Sequence, residues 1–169
     1  MLPIQILLNN FLYDISQLTI PGDFVDKEYI QKPKRWDMKF IRLFMFVFGP
    51  ISSVFDFTTY ALLYVVYKSS PASFQTGWFM ESLATQTFVI HVIRTRLTPV
   101  VQSSASIWLW ITTVASVTIG WIIPYTPIGK YFGFHPLEIQ VVIMLMFIVI
   151  IYLLTTEIGK RLFYKRYYV

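Results

Sequence analysis

The sequence predicts an all-α fold, a polytopic membrane helix bundle of about five transmembrane helices. Two observations carry that reading. The 169 residues are 56% hydrophobic and only 14% charged, whereas a soluble domain carries about 25% charged residues, and the mean hydropathy is +0.58. Apolar runs near the ~20 residues needed to cross ~30 Å of hydrocarbon also recur from end to end, so residues 1–169 read as one membrane domain. Phe, Tyr and Trp supply 18% of the chain, which suits a protein with two membrane–water interfaces to anchor. The absence of cysteine rules out a disulfide framework and a thiolate metal site.

The first span is predicted over residues 2–20, ended by Pro21-Gly22. It is interrupted by Asn9, Asn10 and Asp14 and has no positive n-region, so it is not expected to be a cleavable signal peptide. A loop of mixed charge, 22–39, follows. The second span, 40–67, is longer than crossing requires and contains Gly49-Pro50, which predicts a tilt or a kink. The remaining spans are predicted over 77–93, 106–123 and 137–157, separated by Thr98-Pro99 and by the stretch from Pro124 to Pro136.

Charge placement predicts orientation. Twelve of the 14 basic residues fall on alternate connections: in and beside the loop 22–39, at Arg94 and Arg96, and in the tail at Lys160, Arg161, Lys165 and Arg166. The other side holds only Lys68 and Lys130. The positive-inside rule then places the loop 22–39, the loop after the third span and the C-terminus in the cytoplasm. The net charge of +5 is accounted for by topology. No nucleic-acid partner is expected, because that would require the cations gathered on one folded face; the expected surroundings are membrane lipid.

Within the spans, polar residues are the candidates for function. A carboxylate near the centre of a spanning helix costs roughly 2.5–3.5 kcal/mol on insertion scales, so Asp14 needs a partner, a cavity or a cation. Asn10 lies four residues earlier on the same helical face, with Gln17 a turn further on. These oxygens could coordinate a cation, Mg²⁺ being suited to one or two carboxylates with retained waters, or they could make a helix-packing hydrogen bond; the spacing leaves both open. Asp56, with Ser52 and Ser53 a turn before, could line an ion path, or it could cap the Gly49-Pro50 break or pair with another helix; the structural role is favoured. Gln86, in the middle of the third span, could make an interhelical hydrogen bond worth ~0.6 kcal/mol. His91 reads as structural and Glu81 as reaching the interface. The loop 22–39, with Tyr29 and Trp36, is long for a connector and reads as a docking surface, and the tail from Lys160 as a membrane-surface anchor. There is no Gly-rich phosphate loop, no Ser/His/Asp spacing and no Asp-Lys-Thr-Gly phosphorylation sequence, so the chain by itself is expected to hydrolyse nothing.

Several stretches together resemble one family. They are Leu8-Asn-Asn-Phe-Leu-Tyr-Asp-Ile-Ser-Gln17, Ile30-Gln-Lys-Pro-Lys-Arg-Trp36, Phe48-Gly-Pro-Ile-Ser-Ser-Val-Phe-Asp56, Ser73-Phe-Gln-Thr-Gly-Trp-Phe79 and His91-Val-Ile-Arg-Thr-Arg96. In order, and over essentially the whole chain, they are similar to the C-terminal transmembrane portion of P-type cation-transporting ATPases, most of all the bacterial magnesium-transporting branch. The resemblance implies that the five spans correspond to helices six to ten of such a pump. It implies that Asn10 and Asp14 bind the transported cation, Mg²⁺, and that Gln86 adds a polar side chain to this partial site. It implies that the loop 22–39 contacts the phosphorylation domain. ATP would act only through domains outside this chain, and the expected partner is the N-terminal part of the pump, with its fourth and fifth helices. The expected location is the bacterial plasma membrane, with inward transport. Calcium-pump relatives have a Gly after the Asp, which helps unwind the helix; Ile15 stands here instead. A truncated frame, an excerpt and one half of a split pump remain open, as do a non-catalytic scaffold or regulatory subunit and an inactive remnant.

Overall fold

Pro3 opens the first helix because a proline at the first helical position gives up only an amide that has no intrahelical partner. The computed structural model describes residues 1–24, 38–99 and 102–167. Among them are six α-helices: α1 (Pro3–Gln17), α2 (Met38–Ala61, prolonged by a π-helical turn over Leu62–Val66), α3 (Pro71–Ile93), α4 (Ile107–Ile122), the short α5 (Pro127–Tyr131) and α6 (Ile139–Tyr167). No strand occurs among the described residues.

Local chemistry sets several of these ends. Ser70 Oγ accepts from the Ser73 amide at 3.2 Å with Pro71 next in line, so α3 begins six residues earlier than its apolar run. Ser106 Oγ accepts from the Leu109 amide at 3.2 Å and caps α4. α6 runs ten residues past its predicted end. Glu157 pairs with Lys160 at 2.7 Å and with Arg161 at 2.8 Å, so oppositely charged side chains three and four residues apart sustain it. α2 is helical straight through Gly49-Pro50, and its irregular turn falls later, at Leu62–Val66.

Among the described residues, three helical segments are long and apolar enough to cross a membrane: Met38–Val66 (29 residues), Ile107–Tyr125 (19) and Ile139–Arg166 (28). α1 has 15 residues, about 22 Å of helix at ~1.5 Å per residue. α3 has 23 residues, half of them buried against other helices, and carries more polar side chains than a lipid-facing helix would hold.

α3 is the hub, packing on α1, α4, α6 and α2. Its Phe79, Met80 and Leu83 are fully buried and join Leu12, Leu63 and Leu145 in one core. Small residues permit the close approach. A Cβ on Gly120 of α4 would collide with the Leu83 side chain, and one on Gly77 of α3 would sit 2.8 Å from Leu63 Cδ1.

The ends of the helices gather in two layers. At one end Arg94 Nε meets Asp23 Oδ2 at 2.8 Å, the Ser106 amide donates to Asp23 Oδ1 at 2.6 Å, and Phe40 packs edge-on against Phe163 at 5.4 Å. At the other end Gln5 Nε2 donates to the Phe132 carbonyl at 3.0 Å and the His135 amide donates to Thr76 Oγ1 at 3.0 Å. The alternate connections predicted to share a side therefore do share one.

Lys160 departs from its predicted role. It is 1% exposed, and its Nζ donates to the Val92 carbonyl at 3.0 Å and the Leu97 carbonyl at 2.9 Å. It ties α6 to the C-terminal end of α3, where a cation meets the negative end of the helix dipole, and its ammonium is buried in the protein rather than exposed as a surface anchor would be. Residues 25–37, which hold most of the proposed docking loop, lie outside the described residues.

Candidate functional site

The buried stripe of α1 is Gln5, Asn9, Leu12 and Ser16, residues spaced three and four apart and hence on one face. This face packs on α3 and α4; Thr112 of α4 donates to the Ser16 carbonyl at 3.0 Å. Asn10 and Asp14 lie on the opposite face, both exposed, in the company of Leu7 (69% exposed), Phe11 (60%) and Leu18 (74%). The structure therefore keeps Asn10 and Asp14 together, as their spacing predicts, on a surface that no described residue covers. α1 remains helical through Asp14 and Ile15 to Gln17. The helix is not unwound there, consistent with the absence of a glycine after Asp14.

Gln86 stands elsewhere. It lines a cleft of about 210 Å³ with Ser52, Phe55, Asp56, Glu81, Ser82, Thr85 and Tyr152, contributed by α2, α3 and α6. On α3, residues 81, 82, 85 and 86 share one side, and Met80, Ala84, Thr87 and His91 form the other, which faces α1 and α4. The structure thus brings Gln86 together with Asp56 and Glu81 and not with Asn10 and Asp14.

Glu81 is the clearest departure from the sequence reading. It does not reach an interface: it is 1% exposed, and its Oε2 has no hydrogen-bond partner. Gln86 Nε2 is likewise buried without a partner. Ser52 Oγ and the Tyr152 hydroxyl lie 3.1 Å apart and link α2 to α6 at the cleft. No lysine, arginine or histidine is among the lining residues.

His91 is buried between helices, with its Nδ1 lacking a hydrogen-bond partner. Its ring stacks on Trp110 with centroids 4.1 Å apart, and its Nε2 lies 3.0 Å from Thr113 Oγ1. Sequence reasoning missed the inward Asn9, whose Oδ1 is buried without a partner, and Gln5, whose Oε1 accepts from the Leu2 amide at 2.9 Å. The i, i+4, i+7 spacing with Leu12 would have revealed both.

Residues 1–162 match the family described as "Cation transporting ATPase, C-terminus". The chain is 42% identical over 171 residues to the Magnesium-transporting ATPase, P-type 1, of Salmonella typhimurium, an alignment that covers 99% of this chain and 19% of that protein. It is 40% identical over 171 residues to the protein of the same name from Escherichia coli (strain K12), again 99% of this chain and 19% of that one. The chain thus spans about a fifth of the length of these curated relatives. A match of this extent settles its kinship: the chain belongs to the cation-transporting ATPase C-terminal family.

Proposed function

We propose that this chain is the C-terminal membrane section of a magnesium-transporting P-type ATPase. In that role it contributes part of the path for Mg²⁺, which is cargo, and braces the helices that move. ATP is hydrolysed by domains outside this chain, and the cation site is completed by helices outside it. The section sits in a bacterial plasma membrane with its basic end, including the C-terminus, in the cytoplasm.

One observation carries the reading. The uncovered face of α1 alternates Asn10 and Asp14 with Leu7, Phe11 and Leu18. Lipid suits the apolar residues and penalises the carboxylate by roughly 2.5–3.5 kcal/mol. A neighbouring helix that closes over this face, with a cation held between, satisfies both. The kinship with magnesium-transporting relatives names the cation.

The test places Asn10→Ala and Asp14→Ala in a complete transporter that contains this section. Losing a partner one step removed from a metal already weakens binding about 10–100-fold, so losing a direct ligand lowers the apparent affinity for Mg²⁺ by about tenfold or more. Mg²⁺-dependent turnover and growth of a magnesium-uptake-deficient bacterium read the effect. A non-transporting scaffold would tolerate both substitutions, and full turnover in both variants would overturn the proposal.

A further inference from the structure

We propose that the cleft among α2, α3 and α6 is a second binding site for a hard divalent cation, separate from the α1 face, with Glu81 and Asp56 as its anionic ligands. Both carboxylates line one open cleft between the helices, Glu81 buried at its inner wall and Asp56 exposed at its mouth. Asp56 lies within the apolar segment Met38–Val66, and Glu81 lies midway along α3. Ionised together, the two carboxylates would require compensation, and the cleft wall contains no basic side chain to supply it.

The independent sign of a ligand is Glu81 itself. At 1% exposure it keeps an oxygen, Oε2, with no hydrogen-bond partner, and it lines the cavity. A buried carboxylate oxygen left unpaired is costly, and a bound cation removes that cost. The other groups on the wall are also oxygen donors: the Ser52, Ser82 and Thr85 hydroxyls, the Tyr152 phenol and the Gln86 amide. Carboxylate, amide and hydroxyl oxygens with no nitrogen or sulfur ligand select Mg²⁺, Mn²⁺ or Ca²⁺. A single divalent ion neutralises both carboxylates. The cleft, about 210 Å³, has room for several waters at ~30 Å³ each, which suits an ion that gives up its hydration reluctantly. The unpaired Gln86 Nε2 then has such a water to donate to.

The inference does not depend on the α1 face binding an ion, and its test is separate from the transport assay. The 169-residue chain is placed in nanodiscs of phosphatidylcholine, which has no net charge, and titrated with Mn²⁺ followed by electron paramagnetic resonance. The expected result is one retained Mn²⁺ per chain, displaced by Mg²⁺. Glu81→Gln, nearly isosteric, weakens it tenfold or more, and so does Asp56→Asn. Asp56 is more exposed than Glu81, so its substitution supplies a reading even where Glu81→Gln disturbs folding. Glu138→Gln, an exposed acid ahead of α6, leaves retention unchanged. Failure of the wild-type chain to retain Mn²⁺, retention indifferent to both cleft substitutions, or loss confined to Asp14→Asn would overturn the proposal.

Discussion

At the scale of the residue, environment decides what a polar side chain does, and Lys160 illustrates this best. Its sequence neighbours are those of a basic tail, yet its ammonium is buried against the Val92 and Leu97 carbonyls and Glu157. Breaking such a buried ion pair costs about 3–5 kcal/mol, because the remaining partner loses its compensation. Lys160→Met, which keeps the apolar stem, is expected to destabilise the folded chain by about 3 kcal/mol, less whatever Arg161 recovers by holding Glu157. Denaturant unfolding in mild detergent measures this, and an unchanged midpoint would contradict the buried role. Thr113 offers a smaller contrast. Its hydroxyl meets His91 Nε2 at 3.0 Å but also donates to the Leu109 carbonyl at 2.8 Å, so it already has a partner within its own helix. Thr113→Val is therefore expected to cost only about 0.6 kcal/mol, the average for an interhelical hydrogen bond in a membrane protein. The same unfolding assay separates the two magnitudes.

At the scale of the element, the connections act as staples. Asp23 follows α1, yet its carboxylate accepts from Arg94 at the end of α3 and from the Ser106 amide at the start of α4. One residue therefore fixes three helix ends. Asp23→Asn keeps the shape and removes the charge, leaving a mostly buried Arg94 without its anion. The expected outcome is a loss of about 3 kcal/mol, with faster amide hydrogen exchange at the start of α4 and the end of α1; exchange unchanged at both would rule out the staple. The element scale also marks where sequence periodicity stops being informative. α4 and α6 are apolar nearly all round, so length and hydropathy locate them. α3 mixes Thr76, Glu81, Thr85, Thr87 and His91 into its buried surface, and its apolar pattern alone started it six residues late. Its true start is set by the Ser70 cap.

At the scale of the whole molecule, the two layers of helix ends predict sidedness. The chain contains no cysteine, so single cysteines report position without background. Ser104→Cys, at the Arg94–Asp23 end, is expected to react with a membrane-impermeant thiol reagent from the cytoplasmic side only. Lys130→Cys, at the Phe132 end, is expected to react from the opposite side only. Labelling of both from one side would contradict a membrane crossing by α4, the long helix between them. Both positions are exposed in the folded chain, so a failure to react reflects the membrane and not burial. The arrangement also separates two tasks. α3 holds its neighbours together through an apolar core that draws side chains from every long helix around it, and beside that core it presents carboxylate and amide groups to a cleft shared with α2 and α6.

The sequence by itself determined the helical class, the approximate positions of the long helices and the pairing of connections at each end, because hydrocarbon thickness and the cost of burying charge act on every residue through its own chemistry. It also determined that Asn10 and Asp14 share a face, since four residues make about one helical turn. Only the tertiary structure decided which way each face points. It turned Asn10 and Asp14 outward and Asn9 inward, buried Lys160, and drew Glu81, Asp56 and Gln86 from two helices to one cleft. Those outcomes depend on how helices distant in sequence rotate and pack against one another, and no local spacing encodes that rotation.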